Sequence, residues 1–248
     1  MTAEQNKPGP QSVWERAPAP RRAAPSPLSR EGIVQCAIGI ADREGLAALS
    51  LRKVAGALDA GAMRLYTHMA SKEELLELMV DAVYGEMLAM PVADGDWRAA
   101  LRSIARRTRR AALAHPWFVE LLGGRPHFGP NALAYLEASF GALDRAQGFA
   151  HVDLAMRALK TVNAYVIGAI RAEAGELLAE AESGMNKGEW QTATGDYLRR
   201  VLASGRYPSL TAVYHEAIHH PPETVFEQGL DSVLDGIAAL LVRPAQAY

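Results

Sequence analysis

A single cysteine, Cys36, is all the thiol chemistry this 248-residue chain possesses. One thiol excludes a disulfide within the chain and any cysteine-ligated zinc finger, and such usage fits a reducing, cytoplasmic compartment. No apolar run is long enough to span a bilayer, and residues 1–27 hold no hydrophobic targeting segment, so no membrane partner is expected. An excess of charge of one sign is lacking as well: 26 Lys and Arg stand against 28 Asp and Glu, a formal net charge of -2. That balance excludes a nonspecific coat on nucleic acid, yet it leaves room for a local basic surface. From Asp96 onward there is no polar–apolar alternation at the period of a strand, and the expected fold class is all-α. Since 49% of the residues are apolar, a small domain and a larger helical bundle can both bury a core.

What is present begins with a proline- and alanine-rich stretch over 1–27, expected to be a disordered tail. Its Arg16, Arg21 and Arg22 read as a solvated extension, with a minor-groove arm as the alternative. A first helix follows from Leu28 to Glu44, because Ile33, Ala37 and Ile40, with Val34 and Ala41 beside them, recur at the spacing that buries one helical face. Ser29 is its N-cap and Gly45 its stop, while Gly32 inside it costs ~1 kcal/mol against alanine. Ser50 caps a second, shorter helix that turns Leu51, Val54, Ala55 and Leu58 inward and leaves Arg52 and Lys53 outside. Asp59-Ala60-Gly61 makes a tight turn, and a third helix over 62–68 buries Leu65 and presents Met63, Arg64, Tyr66, Thr67 and His68. Three helices in this order follow the helix-turn-helix plan, whose last helix enters the major groove of DNA.

A capping box then starts a fourth helix: Ser71 accepts from the N–H of Glu74 while Glu74 reaches back to the N–H of Ser71. Leu75, Leu76, Leu78, Met79, Val83 and Met87 carry this helix to Pro91, so one rod joins the reading head to the rest of the chain. Beyond it, a helix from Asp96 ends at His115-Pro116, and further helices are expected at 130–147, 151–181, 190–203, 210–220 and 222–242. Arg102, Arg106, Arg107, Arg109 and Arg110 read as a solvated or salt-bridged face, with a second DNA contact as the alternative.

Specific residues narrow the plan further. Glu44-Gly45-Leu46, Leu49-Ser50-Leu51-Arg52-Lys53-Val54-Ala55, Leu65-Tyr66 and Ser71-Lys72-Glu73-Glu74-Leu75-Leu76 together resemble the DNA-binding domain of the TetR family of bacterial repressors. Leu65-Tyr66-Thr67-His68-Met69 resembles its tetracycline-repressor-like subgroup, as do His115-Pro116-Trp117, Gly129-Pro130-Asn131-Ala132-Leu133 and Leu136-Glu137 in the C-terminal part. Arg64 departs from the pattern, standing where the family carries a small Ser or Thr, which points to an operator of its own. The resemblance implies a helix-turn-helix domain over 28–74 and a ligand-binding and dimerisation domain over 75–245. It also implies a homodimeric repressor on palindromic double-stranded operator DNA, released by a small-molecule effector, with no catalytic residue, cofactor or metal.

Ser50, Arg52 and Lys53 lie at the positive end of the second helix, where a phosphate is favoured, and they would position the domain without reading sequence. From the third helix, starting at Ala62, Arg64 suits bidentate pairing with guanine O6 and N7, while Met63 and Thr67 offer apolar contact to a thymine methyl. The resemblance makes Tyr66 and Lys72 phosphate contacts; His68 either joins that clamp or packs and caps. For an effector pocket the candidates are Trp117, Phe118, Phe128, Asn131, Tyr135, Thr161, Asn163, Tyr165 and Trp190, aromatic groups beside a few polar ones in a helical interior, each with ordinary core as the alternative. The last helix carries Val225, Phe226, Leu230, Val233, Ile237, Leu240 and Leu241 on one face; the resemblance pairs that face with the long helix and their two copies in a dimer, with packing inside one chain as the alternative.

His215-Glu216-Ala217-Ile218-His219 is a literal match to the H-E-x-x-H zinc-protease pattern. The expected buried stripe of that helix, Leu210, Val213, Tyr214, Ala217 and Ile218, turns both histidines toward water, and Pro221-Pro222 ends the helix. The match is read as a surface coincidence, with incidental metal binding and hydrolysis as the alternatives.

Overall fold

The computed structural model describes residues 28–242, apart from 91–95, 145, 147, 150 and 219. Among these the regular structure is helical throughout. The tail over 1–27, Pro91, Gln147 and His219 lie outside the described residues.

Ser29 is extended and its hydroxyl accepts from the N–H of Gly32 at 3.0 Å, so α1 (Arg30–Glu44) opens directly after the expected cap. Ile33, Val34, Ala37, Ile38, Ile40 and Ala41 form its buried face. Gly45 ends it at φ 76, a left-handed conformation that favours glycine, and its N–H donates to Ala41 O at 2.8 Å. A 3-10 turn, Leu46–Ala48, is inserted before α2 (Leu51–Ala57), on which Ser50 Oγ accepts from Lys53 N–H at 3.2 Å. The third helix, α3 (Ala62–Leu65), is one turn rather than two. Beyond it the chain folds back in hydrogen-bonded turns, with His68 N–H and Met69 N–H donating to Leu65 O at 2.8 and 3.1 Å. Leu65 and Met69 both have zero exposure, which explains the tight return.

The rod α4 (Lys72–Leu88) is capped by Ser71, whose hydroxyl accepts from Glu74 N–H at 3.2 Å. The Glu74 carboxylate accepts from Ala70 N–H at 2.7 Å, one residue further back than a capping box requires. Around the rod pack α1, α5 (Trp97–Ala114), the single turn α6 (Phe118–Leu121) and α7 (Pro130–Asp144). With partners on so many sides, Leu75, Leu78, Met79, Val80, Asp81, Val83 and Met87 are all buried. α5 stops at His115, since the residue before a proline is driven out of the helical region.

Next come α8 (Val152–Ser183), α9 (Lys187–Leu202), α10 (Pro208–Glu216) and α11 (Pro222–Val242). α9 begins ahead of the expected 190 because Asn186 and Glu189 close a full capping box, with bonds of 3.0 and 2.8 Å. By packing, the chain divides into Met1–Leu159 and Lys160–Tyr248, a division that falls within α8. Within the first unit α4 packs against α1 and α7 alike. In the second unit Tyr165 Oη donates to Phe226 O at 2.7 Å, tying α8 to α11. A Cβ at Gly229 would overlap the Tyr165 ring and hydroxyl, so that approach needs glycine.

Candidate functional site

The short α3 presents an exposed surface. Leu65 anchors it from below, while Met63 at 78% and Tyr66 at 50% exposure stand out of the core beside exposed Arg64 and Thr67. Large apolar groups held in water on a buried anchor are what a surface that docks onto another molecule requires. Thr67 Oγ1 donates to Arg64 O at 2.7 Å, leaving its methyl as the group to offer outward. Ala62 and His68 are half-buried. Burial pulls the His68 pKa down, and Arg30 and Arg64 push the same way against Glu31. His68 is therefore neutral near pH 7 and is suited to packing and hydrogen bonding rather than to a cationic clamp.

Beside α3, Ser50 and Arg52 are exposed at the start of α2, and Lys53 forms an ion pair with Glu44. Lys72 Nζ donates to Leu46 O at 3.4 Å, which draws the start of α4 against the 3-10 turn. Both lysines are thus held by contacts within the chain.

Three helices meet at the His115 ring, which sequence reasoning treated as a helix end and as part of a family motif. His115 Nδ1 lies 2.9 Å from Asp42 Oδ1 on α1, and Nε2 lies 3.0 Å from Glu86 Oε2 on α4. Asp42 Oδ1 also accepts from Trp117 Nε1 at 2.6 Å. Burial by itself would lower the His115 pKa, but the two carboxylates together outweigh it and raise the pKa above its ordinary value. Both ring nitrogens donate only in the imidazolium form, which this pairing favours.

The middle of α4 is tied to α7 by Asp81, which is 4% exposed. Its carboxylate accepts from Ala132 N–H at 2.9 Å, capping α7 from another helix, and Asn131 Nδ2 donates to Asp81 O at 3.1 Å. Burial raises the Asp81 pKa despite these bonds. Against the same stretch stands an aromatic series: Trp117–Phe118 at 6.2 Å, Phe118–Tyr84 at 5.7 Å and Tyr84–Tyr135 at 5.5 Å between ring centroids. Burial first, then Tyr135 and Asp81, push the Tyr84 pKa up to about 12, so its hydroxyl remains a donor.

Of the nine pocket candidates, Trp117, Phe118, Phe128, Asn131 and Tyr135 belong to the first unit and Thr161, Asn163, Tyr165 and Trp190 to the second. Trp117, Phe118 and Tyr135 share the aromatic series, and Asn131 is occupied with Asp81, whereas Phe128 is exposed. Thr161, Asn163 and Trp190 are exposed as well, and Tyr165 is spent on the α8–α11 joint. Tyr84, Asp81 and His127, which packs 6.4 Å from Tyr84, were missed by sequence reasoning. Arg107 also departs from the expected solvated face: it is 4% exposed, because α5 packs on both α4 and α7.

The protease-like match does not hold a single helical face. α10 stops at Glu216, with Ala217 extended at ψ 129, so the i, i+4 geometry of the pattern is lost before His219. The expected buried stripe is also corrected: Leu210, Val213, Tyr214, Ala217 and Ile218 are all exposed, Ile218 at 78%. Their only extensive partner among the described residues is α9, too little to cover them. Among the described residues no group of three or more His, Cys, Asp or Glu is placed to hold a metal ion.

Comparison with known proteins decides the family. Residues 91–241 match the family model described as "Tetracyclin repressor-like, C-terminal domain". The chain is 36% identical over 233 residues to the HTH-type transcriptional repressor DrrR1 of Streptomyces coeruleorubidus, covering 93% of this chain and 85% of that protein. The chain belongs to the TetR family. It is thus a helix-turn-helix transcriptional regulator and not an enzyme. The class A tetracycline repressor from transposon 1721 of Escherichia coli is 29% identical over 214 residues, 85% of this chain and 91% of that one. Among solved structures, apo ActR from Streptomyces coelicolor superposes with a TM-score of 0.72 at 28% identity, covering 88% of this TetR-family chain and 98% of ActR. No helix among the described residues is long and apolar enough to cross a membrane.

Proposed function

We propose that this TetR-family regulator is a cytoplasmic homodimeric repressor that holds a palindromic operator and releases it when a small molecule binds its C-terminal domain. The observation that carries the reading is α3 itself: Met63, Arg64 and Tyr66 lie exposed over the buried anchor Leu65, and Ser50 and Arg52 are exposed at the start of α2, which packs against α3. In this reading residues 28–74 form the DNA-binding domain, with Ala62, Met63, Arg64 and Thr67 toward base edges and Ser50, Arg52, Lys53, Tyr66 and Lys72 toward phosphates; His68 supports the surface by packing. Residues 75–245 bind the effector and the second copy.

Two further observations support it. ActR has been crystallised with actinorhodin and with (S)-DNPA, so a chain of this architecture accommodates small organic molecules. Here the candidate lining in the first unit is Tyr84, Asn131 and Tyr135 with Trp117 and Phe118. Second, Trp190, Tyr197, Leu210, Val213, Ile218 and Val225 are exposed in the single chain, and exposed apolar groups in this number call for a partner surface. A second copy meets that need and doubles the length of DNA read.

The test is a pair of variants measured against a library of duplexes. Arg64→Ala should lose about 1 to 3 kcal/mol of discrimination at one base pair per half-site. Lys72→Ala should weaken binding to all sequences alike and flatten the salt dependence. Unchanged base preference in Arg64→Ala removes the assignment of α3 as the reading element.

A further inference from the structure

A buried histidine stands between α1 and α4. His115 closes α5, and its ring is held by Asp42 of α1 through Nδ1 at 2.9 Å and by Glu86 of α4 through Nε2 at 3.0 Å. Asp42 and Glu86 are the charged groups that act on the ring among the described residues, and the turn into α6 adds the Trp117 indole at 5.9 Å between ring centroids. An ionised carboxylate only accepts, so a bond from each ring nitrogen requires that both nitrogens carry a proton. The neutral ring has one N–H and one lone pair. Losing a proton therefore breaks one of the two joints and sets a lone pair against a carboxylate.

The two joints are not equivalent. Asp42 Oδ1 is fixed from a second side, accepting from Trp117 Nε1 at 2.6 Å. The Glu86 side chain is 52% exposed and can turn into water. The neutral ring thus keeps Nδ1–H on Asp42 and lets Glu86 go, so that α1 stays tied to the corner between α5 and α6 while α4 is released from it. Burial alone would favour the neutral ring, but the bonds to Asp42 and Glu86 outweigh it and raise the His115 pKa, which puts the change above the ordinary value of about 6.5.

We propose that His115 is a proton-operated latch on the DNA-binding domain: protonated, it fixes α1 against α4 and favours operator binding; neutral, it frees α4 and weakens binding. The latch rests on the repressor reading, in which α1 belongs to the DNA-binding domain and Glu86 and His115 to the effector domain. A latched domain meets DNA in one orientation, whereas an unlatched one must be ordered during binding, at a cost in affinity. The proton then acts as an effector in its own right, apart from any organic ligand.

The test measures the affinity of the full chain for a duplex that it selects from a random pool, between about pH 6 and 9 at constant ionic strength. Wild type should weaken with rising pH by at least about fivefold more than His115→Gln, the lower end of ordinary coupling between two sites. His68, which also titrates among the candidate DNA contacts, is present in both proteins and cancels in the comparison. Glu86→Gln separates a latch from a merely structural contact, because a carboxamide donates to the neutral ring as readily as it accepts from the charged one. That variant should hold its low-pH affinity to the alkaline end of the range. If His115→Gln does not fold, Glu86→Gln against wild type carries the comparison. Equal pH profiles for wild type and His115→Gln, or a Glu86→Gln profile as steep as that of wild type, would overturn the latch while leaving operator recognition intact. Failure of wild type to select any duplex at every pH would instead remove the repressor reading, and the latch with it.

Discussion

His115 joins two helices through the two nitrogens of one ring, and its protonation therefore bears on how firmly α1 sits against α4. Its pKa in the fold is raised, so the stability it contributes is complete below the unfolded value of about 6.5 and is lost as pH rises through the folded value. Melting the protein between about pH 6 and 9 should show wild type losing stability across that window relative to His115→Gln. Parallel curves for the two proteins contradict the bridge. At this scale the sequence was informative where the partner is local. Ser29, Ser50 and Ser71 were recognisable because each caps an N–H three residues away. His115 and Asp81 were not, since their partners lie 73, 29 and 51 residues distant and only packing brings them together. Arg107 was misplaced for the same reason, as it stands in a run of arginines of which Arg106 and Arg110 are exposed.

At the scale of elements, α4 packs against both α1 and α7. Its N-terminus is held to the 3-10 turn through Lys72, and its middle caps α7 through Asp81. That joint depends on Gly129, where a Cβ would overlap the Asp81 carboxylate. Gly129→Ala should therefore cost about 1 to 3 kcal/mol in denaturant unfolding, the range for forced overpacking. A variant as stable as wild type would show that Asp81 moves aside freely and does not fix α7. The anchor of α3 is a second case: Leu65→Ala removes a fully buried side chain and should cost about 2 to 5 kcal/mol, with loss of DNA binding. Helix order and the long helices were legible from apolar spacing. The single turn of α3 and the stop of α10 at Glu216 were not, because short helices depend on packing rather than on their own periodicity.

For the whole molecule, the account requires two copies acting together. Sedimentation at micromolar concentration should give twice the 26.7 kDa chain mass, and a monomer at that concentration would remove the need for a palindrome. The family could be read from the residues around α2 to α4, whereas the effector could not, since a pocket is made by side chains from several helices and has no local signature. The most direct measurement is selection of bound sequences from a pool of random duplexes with the purified full chain. The account predicts enrichment of inverted half-sites whose centres lie about one helical turn, roughly 34–36 Å, or a multiple of it apart. Repeating the selection with Arg64→Ala should relax one position in each half. Enrichment of a single asymmetric site, or of no sequence at all, would contradict it.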